Sequence, residues 1–214
     1  MSEKLAEYRV VDAIQQLGYA AETGDVERVG RLLREGVPVD ARNPVGRPRT
    51  ALDRAIWAEQ TDVVRLLLAS GADPEQPIGE YGENTPVRFA APRGMTDILR
   101  LLLEAGADPD GRGGARERAP GSQLAAVQGL AAIVEMLLDH GASINHVEGY
   151  RGTPLAGAAA GGWPVIVRML LDRGAIPTTE ALELAERNSA RYRTDPERLA
   201  GFAQVIAILK AAGA

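Results

Sequence analysis

An apolar quartet recurs along this chain, and a glycine follows each copy three residues later. The quartets are Val63-Val64 with Leu67-Leu68, Ile98-Leu99 with Leu102-Leu103, Ile133-Val134 with Leu137-Leu138, and Ile166-Val167 with Leu170-Leu171. A weaker first copy has Val29 with Leu32-Leu33. The closing glycines are Gly36, Gly71, Gly106, Gly141 and Gly174, separated by 35, 35, 35 and 33 residues. A period of this length means stacked supersecondary units, each burying an apolar face on its neighbours. It predicts one elongated domain over residues 1–214, with units at approximately 5–40, 41–75, 76–110, 111–145, 146–178 and 179–214.

Thr85 to Asp108 serves as the type unit. Thr85 offers an N-cap oxygen and Pro86 suits the first helical position. Val87, Phe89, Ala90 and Ala91 give a short helix, and Gly94 ends it. Thr96-Asp97 is expected to cap a second helix, striped by Ile98, Leu99, Leu102 and Leu103. Gly106 supplies the left-handed residue at its end. The stretches between units lack helical periodicity and hold Pro and Gly, so they read as loops or hairpins.

Composition narrows the function classes. The apolar content is 45% with only 4% aromatic, so the core is aliphatic and suits closely packed thin helices. A net charge of −5 argues against nucleic acid as the main partner. There is no Cys, hence no disulfide framework or thiol chemistry. The first ten residues lack the apolar stretch of a signal peptide, and no apolar run reaches membrane-span length. A cytoplasmic, monomeric protein is the expectation. The Ala-, Gly- and Arg-rich composition suggests a bacterial source.

The repeated unit resembles the ankyrin repeat. Gly152-Thr153-Pro154-Leu155, Ala158-Ala159, Gly162, Ile166-Val167, Leu170-Leu171 and Gly174-Ala175 follow the family pattern most fully. The Thr85 copy follows it closely, and so does a copy beginning at Thr50-Ala51-Leu52. The resemblance extends over almost the whole chain and implies an all-α solenoid of helix–turn–helix units joined by hairpin loops. Three departures stand out. The family histidine is absent, its positions holding Gly18, Asp53, Arg88, Gln123, Ala156 and Glu183, so local looseness between repeats is expected. The fourth copy has Pro120-Gly121-Ser122 in place of Thr-Pro-Leu, so its first helix is expected to start late or fray. The sixth carries about a dozen extra residues near Arg187 to Arg198, read as a polar excursion with an extended helix and a turn. Arg28 and Lys210 replace stripe residues in the first and sixth copies and read as solubilising caps.

Sites for chemistry are few. His140 and His146 do not make a metal site, which needs three or four converging ligands. His140 reads as a helix-end cation. Asp108-Pro109-Asp110-Gly111 resembles the start of a calcium loop, but Arg112 and Ala119 stand where acids are required. Gly111-Arg112-Gly113-Gly114 follows no strand and reads as a loop. No cofactor is expected.

The resemblance implies a non-catalytic protein-binding module: an adaptor, a regulator or an immunity-type inhibitor. Its partner, another protein, would dock on the concave face formed by first-helix ends and loops. The matching positions are Glu22, Arg47, Arg49, Trp57, Tyr81, Asn84, Arg93, Arg116, Arg118, Gln128, Tyr150 and Arg151, with Thr23, Arg187 and Asn188 beside them. Trp57 is the sharpest. Other copies hold Glu22, Pro92, Val127 and Ala160 there, so packing does not demand a large ring. The alternative for Trp57 is packing on the loop at Tyr81. Trp163, at the start of a second helix, reads as structural. The competing function is an enzyme or small-molecule binder with a pocket in the groove built from Asp53, Arg88, Arg93 and Trp57.

Overall fold

The computed structural model describes residues 2–43, 48–79, 82, 84–112, 119–145 and 152–214. Its helices come in pairs. The first pair is α1 (Ser2–Thr23) and α2 (Val26–Arg34), the second α3 (Ala51–Trp57) and α4 (Thr61–Ala69). The third is α5 (Pro86–Ala90), prolonged by a 3-10 turn at Ala91–Arg93, and α6 (Thr96–Glu104). Then follow α7 (Gly121–Gln128) with α8 (Ala131–Asp139), α9 (Pro154–Gly161) with α10 (Pro164–Asp172), and α11 (Thr179–Ser189) with α12 (Pro196–Ala211). The described residues hold no strand. One isolated antiparallel bridge pairs Ile78 with Asn84 in the loop before α5.

Local chemistry sets the helix ends. The Thr50, Thr153 and Thr178 hydroxyls accept the N–H groups of Asp53, Ala156 and Ala181 at 3.1, 3.1 and 3.2 Å. Each satisfies a donor that has no partner inside the helix. Replacing Thr153 by Ala is expected to cost about 1 kcal/mol, read as a lower urea midpoint at unchanged slope. At the other end, the closing glycines have φ between +88° and +93°. In α6 the Gly106 N–H reaches the Leu103 carbonyl and the Ala107 N–H reaches that of Leu102, both at 3.0 Å. This pair of bonds needs a left-handed residue, which glycine adopts without a Cβ clash.

Two expectations about starts fail. The residue flanking α6 is Met95, without a side-chain cap bond, and Thr96 is already helical. The first helix of the fourth repeat does not start late. Pro120 takes the cap position with ψ 155° and α7 runs a full eight residues from Gly121. Proline's fixed φ substitutes for the lost threonine in setting the entry geometry, though not its hydrogen bond.

The helices divide into two compact units. The first contains α1 to α6; the second contains the Ala91–Arg93 turn and α7 to α12. In the first unit, α3 packs on α1 and α5, and α4 on α2 and α6. In the second, α9 packs between α7 and α11, and α10 on α12. The stripe residues Val64, Leu67, Leu99, Leu102, Val134, Leu137, Val167 and Leu170 are fully buried. So are the alanines of the first helices, from Ala20 and Ala21 to Ala158 and Ala159. Small residues there let neighbouring helices approach closely. The limit is reached between α7 and α9, where a Cβ on Gly161 would lie 2.4 Å from the Val127 carbonyl oxygen.

The loss of the family histidine does not leave the repeats untied. In the first unit the Asp53 carboxylate accepts the Gly79 N–H at 3.4 Å, and Asp40 accepts that of Asp73 at 3.2 Å. In the second, Asp110 accepts the N–H and hydroxyl of Ser143 at 2.8 and 2.7 Å. Asn145 accepts the Ile176 N–H at 2.7 Å and donates to Gly174 at 3.0 Å. Short polar side chains reaching backbone groups in the next repeat do this work instead.

The extra residues of the sixth repeat are mostly helical and packed. They extend α11, form a 3-10 turn at Ala190–Tyr192, and open α12 with Asp195 as its cap. Asn188 donates to the Ala160 carbonyl at 2.8 Å and Arg198 to that of Gly161 at 3.1 Å. The Arg198 guanidinium lies 5.1 Å from the Trp163 ring centroid and 4.8 Å from that of Tyr192. Tyr192 in turn stacks on buried Phe202 at 5.5 Å.

Candidate functional site

Trp57 closes α3 and is 43% exposed. Its ring meets buried Phe89 of the next repeat, whose centroid lies 4.5 Å away at an interplanar angle of 42°. The Arg49 guanidinium, from the loop before α3, sits 4.9 Å from the Trp57 centroid. Phe89 is an aromatic partner of Trp57 among the described residues, and the expected contact with Tyr81 lies outside them. A half-exposed indole fixed by a ring and a cation is rigid and amphipathic, which suits recognition.

One turn earlier on α3 lies Asp53, only 2% exposed. Its Oδ2 is 3.8 Å from Arg49 Nε, too long for a hydrogen bond. Its Oδ1 is buried with no hydrogen-bond partner, as is Arg49 Nε. Burial raises the Asp53 pKa to about 6, against the opposing pull of Arg49, the Gly79 N–H, Arg42 and Arg54. Desolvation of the carboxylate outweighs three nearby guanidinium groups because none donates a hydrogen bond to it. Glu22, on α1, accepts from Arg54 at 3.0 Å. Arg42 donates to Gln76 at 2.8 Å.

On the first unit the structure brings Arg49 and Trp57 together, while Glu22 pairs with Arg54 and Asn84 is held by its backbone bridge to Ile78. In the second unit, Arg93 and Gln128 are exposed. Arg47, Tyr81, Arg116, Arg118, Tyr150, Arg151 and His146 lie outside the described residues. Asn188 is engaged with Ala160. Among the residues suggested for an enzymatic pocket, Asp53 and Arg88 are buried at 2% and 6% exposure. The raised Asp53 pKa follows from that burial. Sequence reasoning missed Phe89 and Arg54, whose roles depend on stacking α3 against α5 and α1.

The remaining candidates have structural uses. The Trp163 indole N–H donates to the Val127 carbonyl at 2.8 Å. His140 donates from Nδ1 to the Met136 carbonyl at 2.8 Å at the end of α8. Arg112 clasps Asp108 at 2.8 Å and lies 3.6 Å from Asp110, so these acids are occupied by a cation of the chain. No group of three or more His, Cys, Asp or Glu among the described residues is placed to hold a metal ion. No helix among them is long and apolar enough to cross a membrane.

A family model for ankyrin repeats, in three copies, matches residues 17–113. An ankyrin repeat domain from Acinetobacter baumannii AYE, known from its crystal structure, is similar over 92% of this chain and 97% of its own. The TM-score is 0.75 at 26% identity. Residues 17–113 of this chain are ankyrin repeats. Its fold is the all-α ankyrin solenoid. The human ASB11 ankyrin repeat domain is also similar, at TM-score 0.69 and 25% identity, over 92% of this chain and 83% of that one. No curated protein sequence matches this chain. Ankyrin repeats are in general protein–protein interaction modules.

Proposed function

We propose that this chain is a non-catalytic binding module that grips another protein through first-helix ends and loops. Trp57 is its principal anchor on the first unit. The observation that carries this reading is the exposure of Trp57, 43%, at a position where other repeats hold Glu22, Pro92, Val127 and Ala160. A large ring left half in water, and braced by Phe89 and Arg49, loses little freedom on docking. Tryptophan and arginine are the residue types that most often dominate binding energy. Glu22 and Asn84 complete this surface, and Arg93 and Gln128 serve the same purpose on the second unit. An adaptor, a regulator and an immunity-type inhibitor would all use such a surface.

Affinity capture from source lysate, read by mass spectrometry, tests the reading. Wild type is expected to retain a protein that Trp57→Ala and Arg93→Glu lose, with melting temperatures lowered by no more than a few degrees. Capture unaltered in both variants would remove these residues from the docking surface.

A further inference from the structure

Along the second helices, one position is occupied by Arg65, Arg100, Glu135 and Arg168 in successive repeats. The matching residue of the first repeat is Gly30, in the middle of α2. Glycine there weakens a helix by about 1 kcal/mol relative to alanine. Packing does not require it. A Cβ at Gly30 would meet only the tip of Arg34 at 3.4 Å and Leu66 Cδ2 at 3.7 Å. Its effect is to leave a groove open between α2 and α4. Two depressions share Gly30, Arg34 and Leu66 and so form one trough. Leu33, Val37 and Val39 line one end, and Val26, 38% exposed, lines the other.

The rim is charged. Arg31 and Arg34 border the trough with a single carboxylate, Glu27. Neither guanidinium has an ion pair or side-chain hydrogen bond among the described residues. The contrast is Arg173 on the second unit, which pairs with Glu135 at 2.7 Å and with Asp139. An aliphatic trough edged by two unpaired cations complements an aliphatic side chain flanked by carboxylates.

We propose that α2 and α4 form a second docking groove, distinct from the Trp57 surface, that takes an acidic amphipathic segment of a partner protein. Leucine or isoleucine of that segment fills the notch at Gly30, and its carboxylates reach Arg31 and Arg34. The reading is independent of the one centred on Trp57.

The test uses the full chain and a fluorescein-labelled amphipathic peptide of alternating leucine and glutamate turns, beside its lysine counterpart. Anisotropy is expected to rise with the acidic peptide only. Gly30→Arg, which installs the residue type of the neighbouring repeats, should weaken binding at least about tenfold, as should the double variant Arg31→Glu with Arg34→Glu. Trp57→Ala should leave it unchanged. Equal binding of both peptides, binding insensitive to Gly30→Arg, or no binding up to millimolar concentration would overturn the proposal. So would self-association in sedimentation that Gly30→Arg abolishes, since the occupant would then be a second copy of this chain.

Discussion

Leu102→Ala is expected to lower the unfolding free energy by about 2–5 kcal/mol. Leu102 is fully buried in α6, which packs on α4 and α5 in the first unit. Its own carbonyl accepts the Ala107 N–H that closes the helix, so the backbone there is fixed and cannot easily move to fill a void. Two contributions add: loss of the buried methine and methyl groups, and the cavity left behind. Val165→Ala is the matched control, because Val165 is 70% exposed and should change stability by under about 0.5 kcal/mol. Urea unfolding followed by circular dichroism measures both. Because repeats couple mainly to their neighbours, amide exchange should accelerate first in α4 to α6. A Leu102→Ala loss no larger than that of the control would place Leu102 outside the core.

The second large effect is a pH dependence in an unusual direction. Asp53 has its pKa raised from 3.8 to about 6 in the folded protein. Between those values the folded state holds a proton that the unfolded state has released. Acidification through that window therefore stabilises the fold at this site, and rising pH removes the contribution. Above about pH 6 the protein carries a buried charge at a cost of about 1–3 kcal/mol. Other carboxylates trend the opposite way, so the quantity to measure is the difference between wild type and Asp53→Asn. Asparagine keeps an oxygen for the Gly79 N–H and carries no charge. The variant should be more stable by about 1–3 kcal/mol at pH values above about 6.5, with the gap closing toward about pH 4. Parallel stability curves for the two proteins would show that Asp53 is not carrying a desolvated charge.

Much of the fold was legible because helix signals are local. Thr50 and Thr153 bond within three residues, and Gly106 acts on the turn just before it. The buried stripe follows from a spacing repeated four times. Thr96 has the right side chain for a cap, yet the helix takes it as its first residue after Met95. Pro120 lacks any capping oxygen, and packing of α7 against α8 and α9 forms the helix nonetheless. The missing histidine predicts looseness only where it is the sole tie between repeats. Asp53, Asp40, Asp110 and Asn145 supply others.

The candidate site was legible only in outline. Comparison of equivalent positions marked Trp57 as larger than the core needs, and it is half exposed. Its brace was not legible, since Phe89 lies 32 residues further on and reaches it only once α5 packs on α3. The sequence places Arg198 in a polar excursion, yet the fold sets its guanidinium against the Trp163 and Tyr192 rings.

Sequence by itself determined the period, the helix pairs and which residues face inward, because these depend on chain geometry over a few residues. Tertiary structure alone decided that Asp53 is desolvated, that Trp57 is clasped but still wet, and that Gly30 opens a trough beside Leu66. Charge state and exposure are set by which atoms replace water around a group, and those atoms come from neighbouring repeats.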